Sequence, residues 1–185
     1  PSGVQVLVSG DPGQVDDWHT DFEPAPEAAP RVAEHGLLGL DHVGISVDGE
    51  DLNQELSLYR TLFGLEPGAL EEFIDPHGRL RSRAMRPAHG DLRVVLNVAD
   101  LGSCNQASHG ITQLAFGCHD VVEEVRRLRA AGVPLMLVPD NYYADLDARF
   151  DLDPRLLADL QRNGLLYDRI GDGELLHAYT AVLPG

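Results

Sequence analysis

The chain has 185 residues and a formal net charge of −16, with 43% hydrophobic and 24% charged residues. That composition suits a folded protein with one domain core, or two small units sharing one. The acidic balance argues against nucleic acid or an anionic membrane as a partner, since both demand a basic surface, and no run approaches the roughly 18 apolar residues of a membrane span.

The N-terminus shows neither the basic nor the apolar region of a secretion signal. It opens on Pro1 rather than Met, so the missing signal says little. Cys104 and Cys118 form neither a disulfide framework nor a CxxC metal knuckle. They read as free thiols in a reducing compartment, which points to the cytoplasm. Val4 to Val8 reads as a short strand closing an upstream unit. Asp11 to Pro30, rich in Asp, Glu, Ala and Pro, reads as an extended linker. Residues 1–36 are thus expected to be the end of an upstream unit plus a linker, and 37–185 a domain of two units, about 37–100 and 110–185.

The first unit opens on Leu40-Asp41-His42-Val43-Gly44-Ile45-Ser46-Val47. Val43, Ile45 and Val47 at every second place give the period of a half-buried strand, with His42 on the opposite face. A helix is predicted from Asp51 to Phe63, with Asp51 as its cap and Gly64 as its stop. Leu52, Leu56, Tyr59 and Phe63 form its apolar stripe. Three strands follow, at Ala69 to Ile74, Leu80 to Arg86 and Leu92 to Val98, separated by turns at Asp75-Pro76-His77-Gly78 and Pro87-Ala88-His89-Gly90. The unit therefore reads βαβββ.

About seventy residues on, the arrangement recurs. Ile111 to Cys118 is a strand. Asp120 to Ala131 is a helix with a capping-box-like start, an apolar stripe of Val121, Val125 and Leu128, and Gly132 at its end. Leu135 to Val138 reads as the next strand. An insertion of two helices follows, Asn141 to Phe150 and Pro154 to Arg162, the second capped by Asp153, started by Pro154 and stopped at Asn163-Gly164. Strands at Leu165 to Arg169 and Glu174 to Val182 flank a turn at Gly171-Asp172-Gly173. By analogy with the first unit, a final strand is missing. The fold class is α+β, with two βαβββ units forming a curved mixed sheet around a cup and helices outside.

The chemistry centres on that cup. His42 faces away from the apolar side of its strand, and a neutral imidazole there suits a divalent first-row metal. The duller reading is a hydrogen-bonded histidine without a ligand. Gln113 occupies the matching place in the second unit. Its amide oxygen can coordinate, but it substitutes poorly for imidazole, and a hydrogen-bonding pocket residue is the plainer reading. Ser82, Asn97 and His177 lie on later strands and could line the same cup or merely satisfy a sheet face. His77 and His89 sit in turns, and His119 lies at the far end of its strand. No nucleophile–base pair, phosphate loop or basic aromatic patch is present.

Leu40-Asp41-His42-Val43 followed by Leu58-Tyr59-Arg60-Thr61-Leu62-Phe63-Gly64 resembles the vicinal-oxygen-chelate (glyoxalase) superfamily, and within it the C-terminal half of 4-hydroxyphenylpyruvate dioxygenases. Arg81 to Met85, Val95-Leu96-Asn97, Gly132-Val133-Pro134, Pro139 to Tyr143, Leu166-Tyr167-Asp168 and Glu174 to Thr180 are similar to further landmarks of that family, so the resemblance covers roughly Leu37 to Gly185. Asn141-Tyr142-Tyr143 and the acidic linker resemble the branch fused behind a sugar-phosphate-isomerase-type barrel, which in some members acts as a 3-dehydroshikimate dehydratase. The resemblance implies Fe(II), held by two His and one Glu, and an aromatic 2-oxo acid that chelates it. His42 matches the first ligand. Gln113 stands in the second ligand's place. The position of the third would fall after Gly185. Ser82 and Asn97 match substrate-contacting positions, and His177 stands where the family has Gln. With Gln113 as a donor, Mn or Mg becomes an alternative ion, and His177 or His109 a replacement ligand.

The expected function is a metal-dependent, dioxygenase-like domain acting on an aromatic 2-oxo acid or a related substrate of aromatic catabolism, with the site degenerate at Gln113. The first alternative is a non-catalytic module that stabilises or regulates a fused dehydratase barrel. The second is a stand-alone small-ligand-binding protein of the same superfamily, a homodimer completed by strand pairing.

Overall fold

The fold is that of a computed structural model, which describes residues 4–6, 36–75, 78–90, 92–99, 110–171 and 173–182. The linker expected at Asp11 to Pro30, Cys104, His77 and His109 lie outside the described residues. Described residues 39–117 belong to one compact unit, and 36–38 with 118–182 to a second.

In the first unit, β1 (Leu37–Ser46), α1 (Leu52–Phe63), β2 (Leu65–Asp75), β3 (Gly78–Pro87) and β4 (Val94–Ala99) follow in the expected βαβββ order. β5 (Gly110–Cys118) adds to the same sheet, whose strand order is β2-β3-β4-β1-β5. β1 runs parallel to β4, while β2, β3 and β4 pair antiparallel, so the sheet is mixed. The strand that opens the second sequence repeat thus lies beside the strand that opens the first.

The period-2 reading of β1 holds. Ile45 and Val47 are buried in the first core with Leu56, Tyr59, Leu65, Met85, Val94, Leu96 and Val98, and Val43, Leu52 and Phe63 pack against it. The α1 stripe therefore covers one face of the sheet. Each of these large side chains, when fully buried, stabilises the unit by roughly 1.5–3 kcal/mol relative to exposure. Gly64 ends α1 in the left-handed region, at φ 64°, and its N–H reaches back to Arg60 and Tyr59 carbonyls. Asp51 occupies the N-cap position, but its side chain makes no capping bond to the helix, because its αR backbone does not aim the carboxylate at the first-turn N–H groups as an extended cap residue would. β2 starts earlier than its alternation suggests and absorbs Pro67 at a register shift. It can do so because it is a terminal strand of the sheet, where a missing N–H costs little. The strand expected at Val4 to Val8 is not found over residues 4–6, which lie in no helix or strand, although Val4 packs against the first core.

The second unit holds α2 (Val121–Ala130), α3 (Asp140–Phe150), α4 (Pro154–Asn163), β6 (Leu166–Ile170) and β7 (Gly173–His177), the last two an antiparallel pair. Its core gathers Val125, Tyr143, Leu146, Leu152, Leu160, Leu165 and Tyr167. The capping sites read from sequence are real. The Asp120 carboxylate accepts from Glu123 N–H at 3.0 Å, and Asp153 accepts from Arg155 N–H at 2.8 Å. Tyr142 ties the inserted helices to β6, its hydroxyl accepting from Tyr167 N–H and donating to Tyr167 C=O. Arg129 donates to the Asn163 carbonyl at 2.7 Å, placing a cation at the C-terminus of α4, where the helix dipole favours it.

Two strand expectations fail here. Leu135 to Val138 forms only an isolated bridge, Leu135 opposite Thr180, with Met136 N–H donating to Tyr179 C=O. β7 stops at His177 rather than running to Val182. Leu137 is 92% exposed, so this apolar segment lacks the buried face that would extend a ladder along it.

Candidate functional site

The face of the first sheet opposite α1 carries four of the residues singled out from sequence, His42, Ser82, Asn97 and Gln113. Register sets Ser46 beside Asn97, and Asn97 beside Ser82. Cross-strand partners share a face, so these three form one polar row across β1, β4 and β3. The Ser82 hydroxyl donates to Asn97 Oδ1 at 2.8 Å. That bond fixes the amide and turns Asn97 Nδ2 toward β1. Ser46 and Thr112 share a hydroxyl–hydroxyl bond of 3.0 Å that carries the row onto β5.

Gln113 lies over Gly44. A Cβ placed on Gly44 would stand 2.9 Å from Gln113 Cβ, 3.0 Å from Gln113 Oε1 and 3.5 Å from Asn97 Nδ2. Glycine within a strand marks a close approach by another group, and the group here is the Gln113 side chain. The structure therefore brings Gln113 onto the face shared by Asn97 and Ser82, with its amide oxygen turned toward β1.

His42 is on the same strand, two residues before Gly44. Its ring is 24% exposed, so it is within reach of a ligand from solvent. His42 Nδ1 lies 2.8 Å from Asp41 Oδ2. The other Asp41 oxygen, Oδ1, accepts from the Arg93 guanidinium. A carboxylate only accepts, so a neutral His42 ring in this contact has its proton on Nδ1 and its Nε2 lone pair turned to a ligand.

His177 belongs to the second unit. It sits at the end of β7, opposite Leu166, with its ring edge-on to Tyr179 at 5.5 Å between centroids. Burial pushes the imidazole below the ordinary histidine range, and the Asp168 carboxylate pulls weakly the other way. Its Nδ1 is buried and without a hydrogen-bond partner among the described residues. His89 is exposed in its turn, as expected. Among the described residues no three His, Cys, Asp or Glu side chains cluster as a metal site.

Asp41, Gly44, Ser46, Thr112 and Arg93 adjoin or bond these residues but were not singled out from sequence. Asp41 and Gly44 left a signal, an acid next to the candidate ligand and a glycine inside an otherwise β-branched strand. Arg93 left none, because its partner is 52 residues away.

A mixed sheet built from a βαβββ unit, extended by the opening strand of a second repeat with a polar face across the join, defines the class. Residues 39–155 match the Glyoxalase/Bleomycin resistance protein/Dioxygenase superfamily, and the chain belongs to that superfamily. Among curated relatives, it is 37% identical over 171 residues to a 3-dehydroshikimate dehydratase of Pseudomonas putida, covering 88% of this chain and 26% of that protein. It is 27% identical over 178 residues to a 4-hydroxyphenylpyruvate dioxygenase of Legionella pneumophila, covering 90% of this chain and 51% of the relative. A solved xylose isomerase-like TIM barrel/4-hydroxyphenylpyruvate dioxygenase fusion protein superimposes with a TM-score of 0.64 at 37% identity, over 78% of this chain and 24% of that one. The chain thus spans about a quarter of its dehydratase relative and half of its dioxygenase relative.

Proposed function

We propose that this chain is a 4-hydroxyphenylpyruvate dioxygenase-like domain that takes an aromatic 2-oxo acid, or a related acid of aromatic catabolism, on the polar face of its first sheet with the help of a divalent metal. The observation that carries this reading is the contact of His42 Nδ1 with Asp41, which in the neutral ring leaves Nε2 for a ligand, on the strand that Gln113 overlies. His42 Nε2 and Gln113 Oε1 are the residues that would hold the ion. When bound, the ion supplies Lewis-acid polarisation of chelating substrate oxygens and, if it is iron, a centre for dioxygen. One imidazole and one amide oxygen fit an oxygen-ligated ion such as Mn(II) or Mg(II), and fall short of the two-histidine, one-carboxylate set that favours Fe(II). The protein's own part is positional. Gln113 is held down by the Gly44 gap, and the Ser82–Asn97 pair offers a fixed amide N–H to a substrate oxygen. A neutral hydrogen bond of this kind contributes a net 0.5–1.5 kcal/mol or about that much.

A second reading is favoured by Gln113 and by the 37% identity to a dehydratase of which this chain covers about a quarter. In it the domain belongs to a barrel-fused dehydratase and serves that barrel by stabilising it, without redox chemistry of its own. Oxygen uptake separates the two. With 4-hydroxyphenylpyruvate and Fe(II) or Mn(II), uptake that disappears in His42→Ala supports the dioxygenase reading. No uptake with either metal counts against a 4-hydroxyphenylpyruvate dioxygenase activity and favours the non-catalytic readings.

A further inference from the structure

We propose that Asp41 and Arg93 form a positioning relay that sets the tautomer of His42. The inference rests on the reading of His42 as a metal ligand, but its geometry does not depend on it. Asp41 and His42 are neighbours in an extended strand, and successive side chains of a strand point to opposite faces. A bond between them is therefore not the default of the backbone. It exists because the Asp41 carboxylate is divided, with Oδ1 taken by the Arg93 guanidinium and Oδ2 facing His42 Nδ1 at 2.8 Å.

Arg93 is itself anchored to β1. Its carbonyl accepts from Val43 N–H at 3.0 Å, so its backbone is locked to the residue next to His42 and its side chain to the residue before it. The guanidinium keeps its proton in any protein environment and has no acceptor capacity, so it demands an anionic oxygen. That demand fixes the carboxylate, the carboxylate accepts from Nδ1, and the lone pair is left on Nε2. A free neutral histidine side chain in water prefers the reverse, with the proton on Nε2. The relay therefore inverts the intrinsic preference and aims the ring. A carboxylate behind a ligating histidine is a recurrent way of fixing tautomer and ring orientation. The pair is also shielded enough to persist, with Asp41 and His42 side chains 32% and 24% exposed.

The test is long-range proton–nitrogen correlation NMR on the metal-free chain at about pH 8, where neutral imidazole prevails, with the His42 ring assigned by its loss in His42→Ala. The relay predicts a proton on Nδ1 in the native chain and a shift toward the Nε2–H tautomer in Asp41→Ala and Arg93→Met. Arg93→Lys, which keeps the charge, retains the native tautomer in part. In parallel, Mn(II) affinity falls about 10- to 100-fold in Asp41→Ala and Arg93→Met, although neither residue is a ligand. An unchanged tautomer in Asp41→Ala overturns the relay, as does a loss of Mn(II) affinity without a tautomer change. A native chain that shows the Nδ1–H tautomer but binds no Mn(II) upholds the relay and overturns the metal reading instead.

Discussion

Two residues carry most of what is unusual in this chain, Gly44 and His177. Gly44 has no positive φ to justify it, so its reason is space, filled by Gln113. Gly44→Ala is expected to destabilise the protein by about 1–3 kcal/mol, the usual cost of overpacking. Pairing it with Gln113→Gly should recover much of that loss, since the clash is with Gln113 Cβ. Urea midpoints of the four chains of that double-mutant cycle measure the coupling, and additive losses would remove the steric account. His177 has a pKa lowered from the ordinary 6.5 by burial. As pH falls through 6.5, the unfolded chain takes up a proton and the folded one resists it, so stability drops across the window between the ordinary and the lowered value. Above 6.5 both states are neutral and the effect vanishes. His177→Gln should flatten the stability curve below pH 6.5 without changing its slope above it, and parallel curves would show that the ring titrates freely when folded. His42 was legible in the sequence because alternation alone puts it opposite Val43, Ile45 and Val47. Its partners were only half legible, since Asp41 adjoins it in the chain and Arg93 is reached through sheet register.

Among the elements, those with strong local signals formed as read. α4 has Asp153, Pro154 and Gly164 at its ends, and all three act as expected, with φ 64° at Gly164. Asp153→Ala should cost about 1 kcal/mol in thermal or urea unfolding, since it strips two first-turn N–H groups of their acceptor. A change below about 0.3 kcal/mol would mean that solvent replaces the carboxylate fully. The elements that failed are those whose reading rested on apolar content. Leu135 to Val138 is apolar enough for a strand but presents Leu137 to solvent. The run from Glu174 to Val182 breaks after His177 and returns only at the Thr180 bridge. Strand ends depend on what lies alongside them, and that is set by tertiary pairing rather than by the segment itself. Asp51 shows the same limit for caps, since residue type and position are right but backbone conformation decides whether the carboxylate bonds the helix.

Across the whole molecule, the repeat legible in the sequence is a repeat of topology more than of chemistry. Both copies begin with a strand followed by a helix, and the two opening strands lie side by side in one sheet. The chemistry differs at the matching positions, imidazole in one and amide in the other, and no periodicity argument could have shown whether that pair still serves a ligand. Among the described residues no helix is long and apolar enough to cross a membrane. The central claim is that the polar face of the first unit holds a divalent ion through His42. The most direct test is an anaerobic titration of Mn(II) and Fe(II) into the native chain, His42→Ala and Gln113→His. The account predicts saturable binding, about micromolar or tighter, that is lost in His42→Ala, and tighter Fe(II) binding in Gln113→His as a second imidazole replaces the amide. Equal, feeble binding by all three chains would contradict it.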